Sequence, residues 1–494
     1  NEGVFSEDDV AGKCYTLAQI AINEARLGRI SETEKNNRLE ELKRVDYKDD
    51  VYKYMLRNPF LQQYNLSISG GGDKVGIISS LLYEKDKTHF VGTQNEKYML
   101  NMRMTSNIFS WLKFDLSGMF QYLKNRNNGA VLSASDAGDV AINELSPYEH
   151  LVNSDGSYTH IVRDYYLPAL EELSEQKFPY RNWYYNPLEE IKNRDRLTKS
   201  INARFQAALT IKLWKGLDFS SSFQYEVFNS HRKNLYKENS WMVKNMVNYY
   251  TEYDPETGIV GKSAYPTGQL LDLFDSEMQG YTFRNQLNFN RDFGKHNFNV
   301  VIGSEIRHRR TTSHTSPRVY GYNDETLTSK LFPNGTGKLS IKDIFGNNIT
   351  VNDYASKFTY TTDRFFSLYG NAAYTFDSRY TISGSVRTDA SNFITDDPKY
   401  RYAPFWSVGA MWNLSRENFM SDLGFVDWLR LRFTYGYNGN VDTSTSFKPL
   451  VSIGAVENAY KHEITGSIAS FGNPELRWEK VGSIDVGVDY SFWS

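Results

Sequence analysis

Two stretches of this sequence concentrate the side chains that could touch a ligand. Residues 176–188 hold Phe178, Tyr180, Trp183, Tyr184 and Tyr185 beside Arg181 and Asn182. Residues 240–253 hold Trp241, Tyr249, Tyr250 and Tyr253 beside Asn245 and Asn248. Flat rings next to amide and guanidinium donors suit stacking on a sugar face and bonding its hydroxyls, and Tyr and Trp give large contact area at low entropic cost. Tyr180, Arg181, Trp183, Tyr184, Tyr185, Trp241, Tyr249 and Tyr250 are therefore the candidate contacts for a substrate or a partner. Their other role, packing these stretches on one another or on a neighbouring protein, is favoured over direct contact with substrate.

Residue types that perform covalent chemistry are present without the spacing that chemistry needs. Gly335-Thr336-Gly337-Lys338 resembles part of a phosphate loop, but Leu339 replaces the required Ser or Thr and the upstream glycine is missing. His308 and His314 stand six apart without the spacing of a metal pair, and a solvated basic loop accounts for them better. Asp254-Pro255-Glu256-Thr257-Gly258 lacks the ligand alternation of a calcium loop and reads as a turn. There is no Gly-x-Ser-x-Gly elbow. No catalytic residue, metal ligand or cofactor site is assigned, and the chain is expected not to be an enzyme. A net charge of -3 carries no nucleic-acid footprint. The single cysteine, Cys14, rules out an intrachain disulfide framework.

The elements that hold those stretches are strands. In 201–213, Ile201, Ala203, Phe205, Ala207, Leu209, Ile211 and Leu213 share one parity, while Asn202, Arg204, Gln206, Thr210 and Lys212 share the other. Residues 429–437 and 484–492 alternate in the same way, as do 217–228, 366–376 and 380–388. Such a period places one set of side chains on each face of a sheet. The segments come in pairs joined by tight turns (98–107 with 112–122, 201–213 with 217–228, 281–291 with 296–306, 365–376 with 379–388). Long irregular stretches separate the pairs. Short turns on one side and long loops on the other are the pattern of an outer-membrane β-barrel.

A soluble β-sandwich would also alternate, with its apolar face in a dry core. Several segments exceed the usual strand of soluble sheets and reach the roughly 9–11 residues that cross a bilayer at a tilt. Aromatics gather at segment ends, among them Trp111, Tyr122, Trp214, Phe228, Tyr374, Phe376, Trp412, Tyr435 and Tyr437, as interfacial girdles require. Mean hydropathy is -0.56, and no run of apolar residues is long enough for a membrane helix. A barrel needs none, because only alternate residues meet lipid. Arg204, Arg284, Arg387, Arg430 and Arg432 all take the polar parity; a one-residue slip would turn each to lipid at roughly 2–4 kcal/mol near the midplane. About 12 or 13 strands are expected, counting 64–70, 75–83 and 405–414; an odd or unclosed set points to part of a larger barrel. Residues 9–27 read as a helix ended by Gly28, and Ser31 with Glu34 caps a second over about 32–44. Without a charged n-region or apolar h-region at its start, the chain is expected to be a mature form or an internal fragment.

Several motifs carry a family resemblance. Asn473-Pro474-Glu475-Leu476-Arg477-Trp478-Glu479, before the last alternating segment, closely resembles a signature of SusC/RagA-type TonB-linked outer-membrane transporters. Tyr64-Asn65-Leu66-Ser67-Ile68-Ser69-Gly70-Gly71 is similar to another, and so is Arg387-Thr388-Asp389-Ala390-Ser391-Asn392-Phe393. Phe405-Trp406-Ser407-Val408-Gly409 and Ser415-Arg416-Glu417-Asn418-Phe419 follow in the family's order. The resemblance implies an all-β fold, a transmembrane antiparallel barrel of about 22 strands filled by an N-terminal plug. It implies location in the outer membrane of a Gram-negative, Bacteroides-type cell, a SusD-like lipoprotein as lid, and energy from TonB–ExbB–ExbD. The cargo it implies is oligosaccharides or peptides. On that comparison residues 1–60 are the end of the plug and its connection, and 61–494 a barrel incomplete at its C-terminus. A passive porin-like channel, or a binding barrel without energy coupling, stands as the alternative.

Overall fold

The computed structural model describes residues 15–492 except 135–137, 162, 166–169, 171–172, 174–176, 255, 333–337, 345–346, 353, 421–425, 458–459 and 461. Cys14 and the glycines of the 335–338 motif therefore lie outside the described residues. Thirteen long strands form one antiparallel path in which each pairs with the next in sequence. They are β1 (Phe60–Gly71), β2 (Val75–Lys87), β3 (Gln94–Phe109), β4 (Leu112–Asn127), β5 (Arg194–Trp214) and β6 (Leu217–Tyr236). β7 (Gln269–Phe293), β8 (His296–Thr315), β9 (Lys357–Phe376), β10 (Tyr380–Ser391), β11 (Ala403–Asn413), β12 (Val426–Asn438) and β13 (Val481–Phe492) continue it. The expected strand count and the expected hairpin pairs are both present.

Alternation sets the two faces. Phe205, Leu209, Leu213, Phe223, Phe283, Ile302, Leu368, Ile382, Val408, Phe433 and Val486 lie on one face, and all are exposed. The register carries this set continuously across neighbouring strands. A sandwich would have buried those residues in a dry centre. The described buried hydrophobics instead gather at one end of the strands.

The opposite face is a polar wall tied across strands. Thr105 donates to Asp115 at 2.6 Å and Arg103 reaches the same carboxylate at 3.2 Å. Arg284 Nε donates to Glu305 at 2.8 Å, Arg309 Nε to Asp363 at 2.8 Å and Arg432 to Asp489 at 2.7 Å. Arg387 bonds both Asp389 and Ser367 at 2.9 Å. All five arginines singled out by parity lie on this face.

Short turns gather at one end of the path and long connections at the other. At the short end, Gly216 has φ +84, and a Cβ there would meet the Asn290 carbonyl oxygen at 2.5 Å. Only glycine permits that two-residue turn. Several strands run further toward the long end than expected: β7 has 25 residues and β8 has 20. His308 and His314 therefore sit on a strand, stacked on Tyr281 and Phe358, and not in the expected solvated loop. The cause is legible in β8. Beyond Ile306 its apolar alternation stops, yet the backbone ladder with β7 and β9 continues to Thr315.

Two helices precede β1. α1 (Leu17–Arg26) starts at a Thr16–Gln19 capping box, and α2 (Glu32–Leu42) starts at Ser31, whose hydroxyl accepts from Glu34 N–H. Gly28 stands between them at φ +73. A following single helical turn, α3 (Tyr47–Asp50), continued by a π-helical Val51–Met55, buries Val51 and Met55 in the same cluster as Leu151 and Trp183. The segment expected at the end of a plug thus packs among the long connections, and β1 leaves from that end.

Candidate functional site

The layer at the long-connection end is built around two apolar clusters. The first joins Met55, Leu151, Phe178, Trp183, Tyr185, Ile191 and Trp241. The second joins Tyr236, Val243, Val247, Tyr265, Leu270 and Tyr320. Two short helices organise them. α4 (Pro187–Lys192) is capped by Asn186, whose Oδ1 accepts from Leu188 N–H at 2.9 Å while its Nδ2 donates to the Leu151 and Thr159 carbonyls. α5 (Trp241–Tyr249) is capped by Ser240 and turns Val243 and Val247 inward. Pro187 at the first helical position suits a helix start, where no N–H is needed.

The candidate aromatics divide into anchors and rim. Trp183 is 1% exposed and Tyr185 4%. Trp183 stacks on Phe178 at 5.3 Å, and Trp241 meets Tyr185 edge-on at 5.5 Å. The Arg163 guanidinium lies over the rings of both Tyr185 and Trp241, at 4.4 and 4.8 Å. These three rings hold the layer together, which is the packing role favoured from sequence. Tyr180, Tyr184, Tyr249 and Tyr250 are half-buried and Arg181 is exposed. Tyr184 stacks on His160 at 3.8 Å, and Tyr250 meets Tyr249 edge-on at 5.0 Å.

Of the three amides expected to offer donors, Asn248 is engaged through both polar atoms, whereas the exposed Asn182 accepts from Tyr184 N–H at 3.4 Å. Asn248 pairs with the Tyr180 backbone in both directions, at 3.1 and 2.7 Å. Asn245 accepts from the Tyr165 hydroxyl. The Tyr180 hydroxyl donates to Glu238 at 3.0 Å and accepts from Gly268 N–H at 3.0 Å.

Burial sets the local electrostatics. Desolvation raises the Tyr165 and Tyr180 hydroxyls well above their ordinary range and pushes Tyr185 up to about 12 despite Arg163 beside it. Glu190, on α4, is the buried carboxyl that sequence reasoning missed. Its Oε2 accepts from Trp241 N–H at 2.6 Å, while its Oε1 has no hydrogen-bond partner. Desolvation outweighs that bond and the nearby Arg163 and Arg194, and pushes Glu190 up to about 7. Nothing in the local pattern Pro-Leu-Glu-Glu-Ile distinguishes it from its half-buried neighbour Glu189. Among the described residues no group of three or more His, Cys, Asp or Glu is arranged to hold a metal ion.

The motifs of the last third meet in space. Trp478 Nε1 donates to the carbonyls of Asp389 and Arg401, at 3.2 and 3.3 Å, and its ring meets Phe405 edge-on at 5.7 Å. Asn392 accepts from Arg364 N–H at 2.7 Å and donates to the Thr362 carbonyl. The Asn-Pro-Glu-Leu-Arg-Trp motif is thus a clamp that ties the connection before β13 to the ends of β10 and β11.

A long antiparallel strand path with one apolar exposed face, one polar face and a packed loop layer at one end is the architecture of a transmembrane β-barrel. Residues 138–494 match the family described as TonB dependent receptor-like, beta-barrel, and the chain belongs to that family. TonB-dependent receptor P39 of Formosa agariphila is 24% identical over 457 residues, covering 91% of this chain and 37% of its own. TonB-dependent receptor SusC of Bacteroides thetaiotaomicron is 20% identical, covering 91% and 40%. The chain therefore spans well under half the length of these curated relatives. The solved structure of the RagAB peptide transporter superposes with a TM-score of 0.65 at 19% identity, over 91% of this chain and 44% of that one, which shows the fold.

Proposed function

We propose that this chain is the barrel wall and outer loop layer of an outer-membrane importer driven by TonB, carrying oligosaccharides or peptides. The observation that supports it most is the polar inner wall. Arg103–Asp115, Arg284–Glu305 and Arg432–Asp489 line it across neighbouring strands. Charged pairs of this kind belong in a wet lumen, because on the lipid side each would carry a heavy penalty. The polar wall suits a hydrated cargo.

The loop layer is the surface offered to a SusD-like lid and to cargo. Arg181, Tyr180, Tyr184, Tyr249 and Tyr250 are its accessible candidates, with Trp183, Tyr185 and Trp241 beneath them as support. We place residues 15–59 in this outer layer too, in preference to the end of a plug, because Val51 and Met55 belong to its core.

A strain deleted for the gene, grown on a panel of glycans and peptides, tests the importer. Loss of growth on one cargo class, reproduced by deletion of tonB, is the expected result. Growth unchanged on every substrate would sink importation. Loss that does not depend on tonB would favour a passive channel.

A further inference from the structure

The outward face of the barrel carries a charged surface that import does not use. Tyr64, Tyr83, Tyr98 and Tyr122 form a row across β1–β4, their rings 6.2, 5.0 and 6.2 Å apart in turn. They share a face with the exposed Leu66, Leu81, Leu100 and Phe120, so they form part of an aromatic girdle. The girdle lies toward the long-connection end, since each tyrosine is followed in that direction by polar residues.

The next two rows on the same face are basic. Lys85, Glu96, Lys124 and Lys199 are register partners across β2–β5, and Lys87, Gln94, Arg126 and Leu197 form the row beyond. Lys85 and Lys124 both reach Glu96 at 3.6 Å, which fixes them on one surface. Arg126 pairs with Asp195 of the following row at 3.2 Å. Lys87 and Lys199 are exposed. Five cations thus face outward against Glu96 in these two rows. The opposite face of the same strands is nearly neutral, with Lys97 paired to Glu84 at 3.0 Å. A groove of about 730 Å³ opens beside Arg126; it is lined by the exposed Lys192 and Lys237, by Asp195 and Asp324, which pair with Arg126 and Lys233, and by apolar Val91, Leu188 and Ile191.

We propose that this face of β2–β5 docks the phosphate groups of outer-leaflet lipid, an inference that rests on the outer-membrane reading above. The argument is complementarity at a defined depth. Side chains two residues beyond an aromatic girdle stand at headgroup level, where clustered cations attract anionic lipid. A lysine stem can lie along apolar surface and still carry its ammonium group to the headgroups, and Lys87 and Lys199 are exposed to do so. The groove supplies apolar walls beside the cations, which suits a headgroup with sugar and acyl parts.

The test uses the full-length transporter purified from its own outer membrane and placed in neutral phosphatidylcholine nanodiscs. The probes are bisphosphorylated lipid A, its dephosphorylated form and inorganic phosphate. Expected is saturable binding of the phosphorylated lipid alone, weakening about fivefold per lysine removed in Lys85→Gln, Lys87→Gln, Lys124→Gln and Lys199→Gln. Equal binding of the two lipid forms by the native protein would overturn the proposal without any variant. So would unchanged binding by the combined variant, or equal competition by inorganic phosphate. Absence of the native protein from the outer-membrane fraction would instead overturn the outer-membrane reading.

Discussion

Glu190 shows what one residue contributes to the loop layer. Its carboxyl is raised from 4.5 to about 7 by burial, so the folded state holds a proton that the unfolded chain has released. Stability of the layer is then greatest below about pH 4.5 and falls as pH rises through about 7, by on the order of 3 kcal/mol. Glu190→Gln keeps an acceptor for Trp241 N–H and removes the charge. Tryptophan-monitored melting should therefore show a variant whose melting temperature is nearly flat between pH 5 and 8, above the native value at pH 8. A native profile that rises over that range would contradict the assignment. The aromatic anchors make a second prediction. Trp183→Ala leaves a void in the first cluster and should cost about 3–5 kcal/mol. Arg181→Ala, at an exposed position, should leave melting unchanged and alter only the binding of cargo or lid. Calorimetry of the loop layer separates the two.

The strands state their faces in the sequence; the loop layer does not state its packing. Parity over 201–213 was enough to assign every side chain of the central part of β5, because the period of a strand is two and lipid tolerates few polar residues. The upper reaches of β7 and β8 escaped, since beyond the girdle both faces are wet and alternation has no force behind it. In the loops, aromatic content pointed to packing but did not separate the buried Trp183 and Tyr185 from the half-buried Tyr180 and Tyr184. Tertiary contacts from Met55, Leu151 and Trp241 decide that, and no local period encodes them. The Asn473–Trp478 motif was recognisable, yet its role as a clamp appears only when Trp478 meets the Asp389 carbonyl. Trp478→Phe removes that donor while keeping most of the ring. It should loosen the connection before β13, seen as faster protease cleavage within 439–480, while β10 and β11 stay protected.

At the scale of the molecule, the order of the connections sets which end faces outward. Short turns at one end and a cored layer at the other make the two rims unlike, and we read the cored rim as the one facing outward. Residues 15–59 belong to that rim on our reading. Lys43→Cys, in a Cys14→Ser background, should accordingly react with a membrane-impermeant maleimide on intact cells. Labelling only after the outer membrane is opened would return the segment to the plug.

The central claim is that the apolar parity faces hydrocarbon and the polar parity faces water. Single cysteines at 201–213, each carrying a fluorophore in bilayers of brominated lipid, test it position by position. The account predicts quenching at Ile201, Ala203, Phe205, Ala207, Leu209 and Ile211, and little at Asn202, Arg204, Gln206 and Thr210. Quenching of the second set, or no alternation at all, would contradict it.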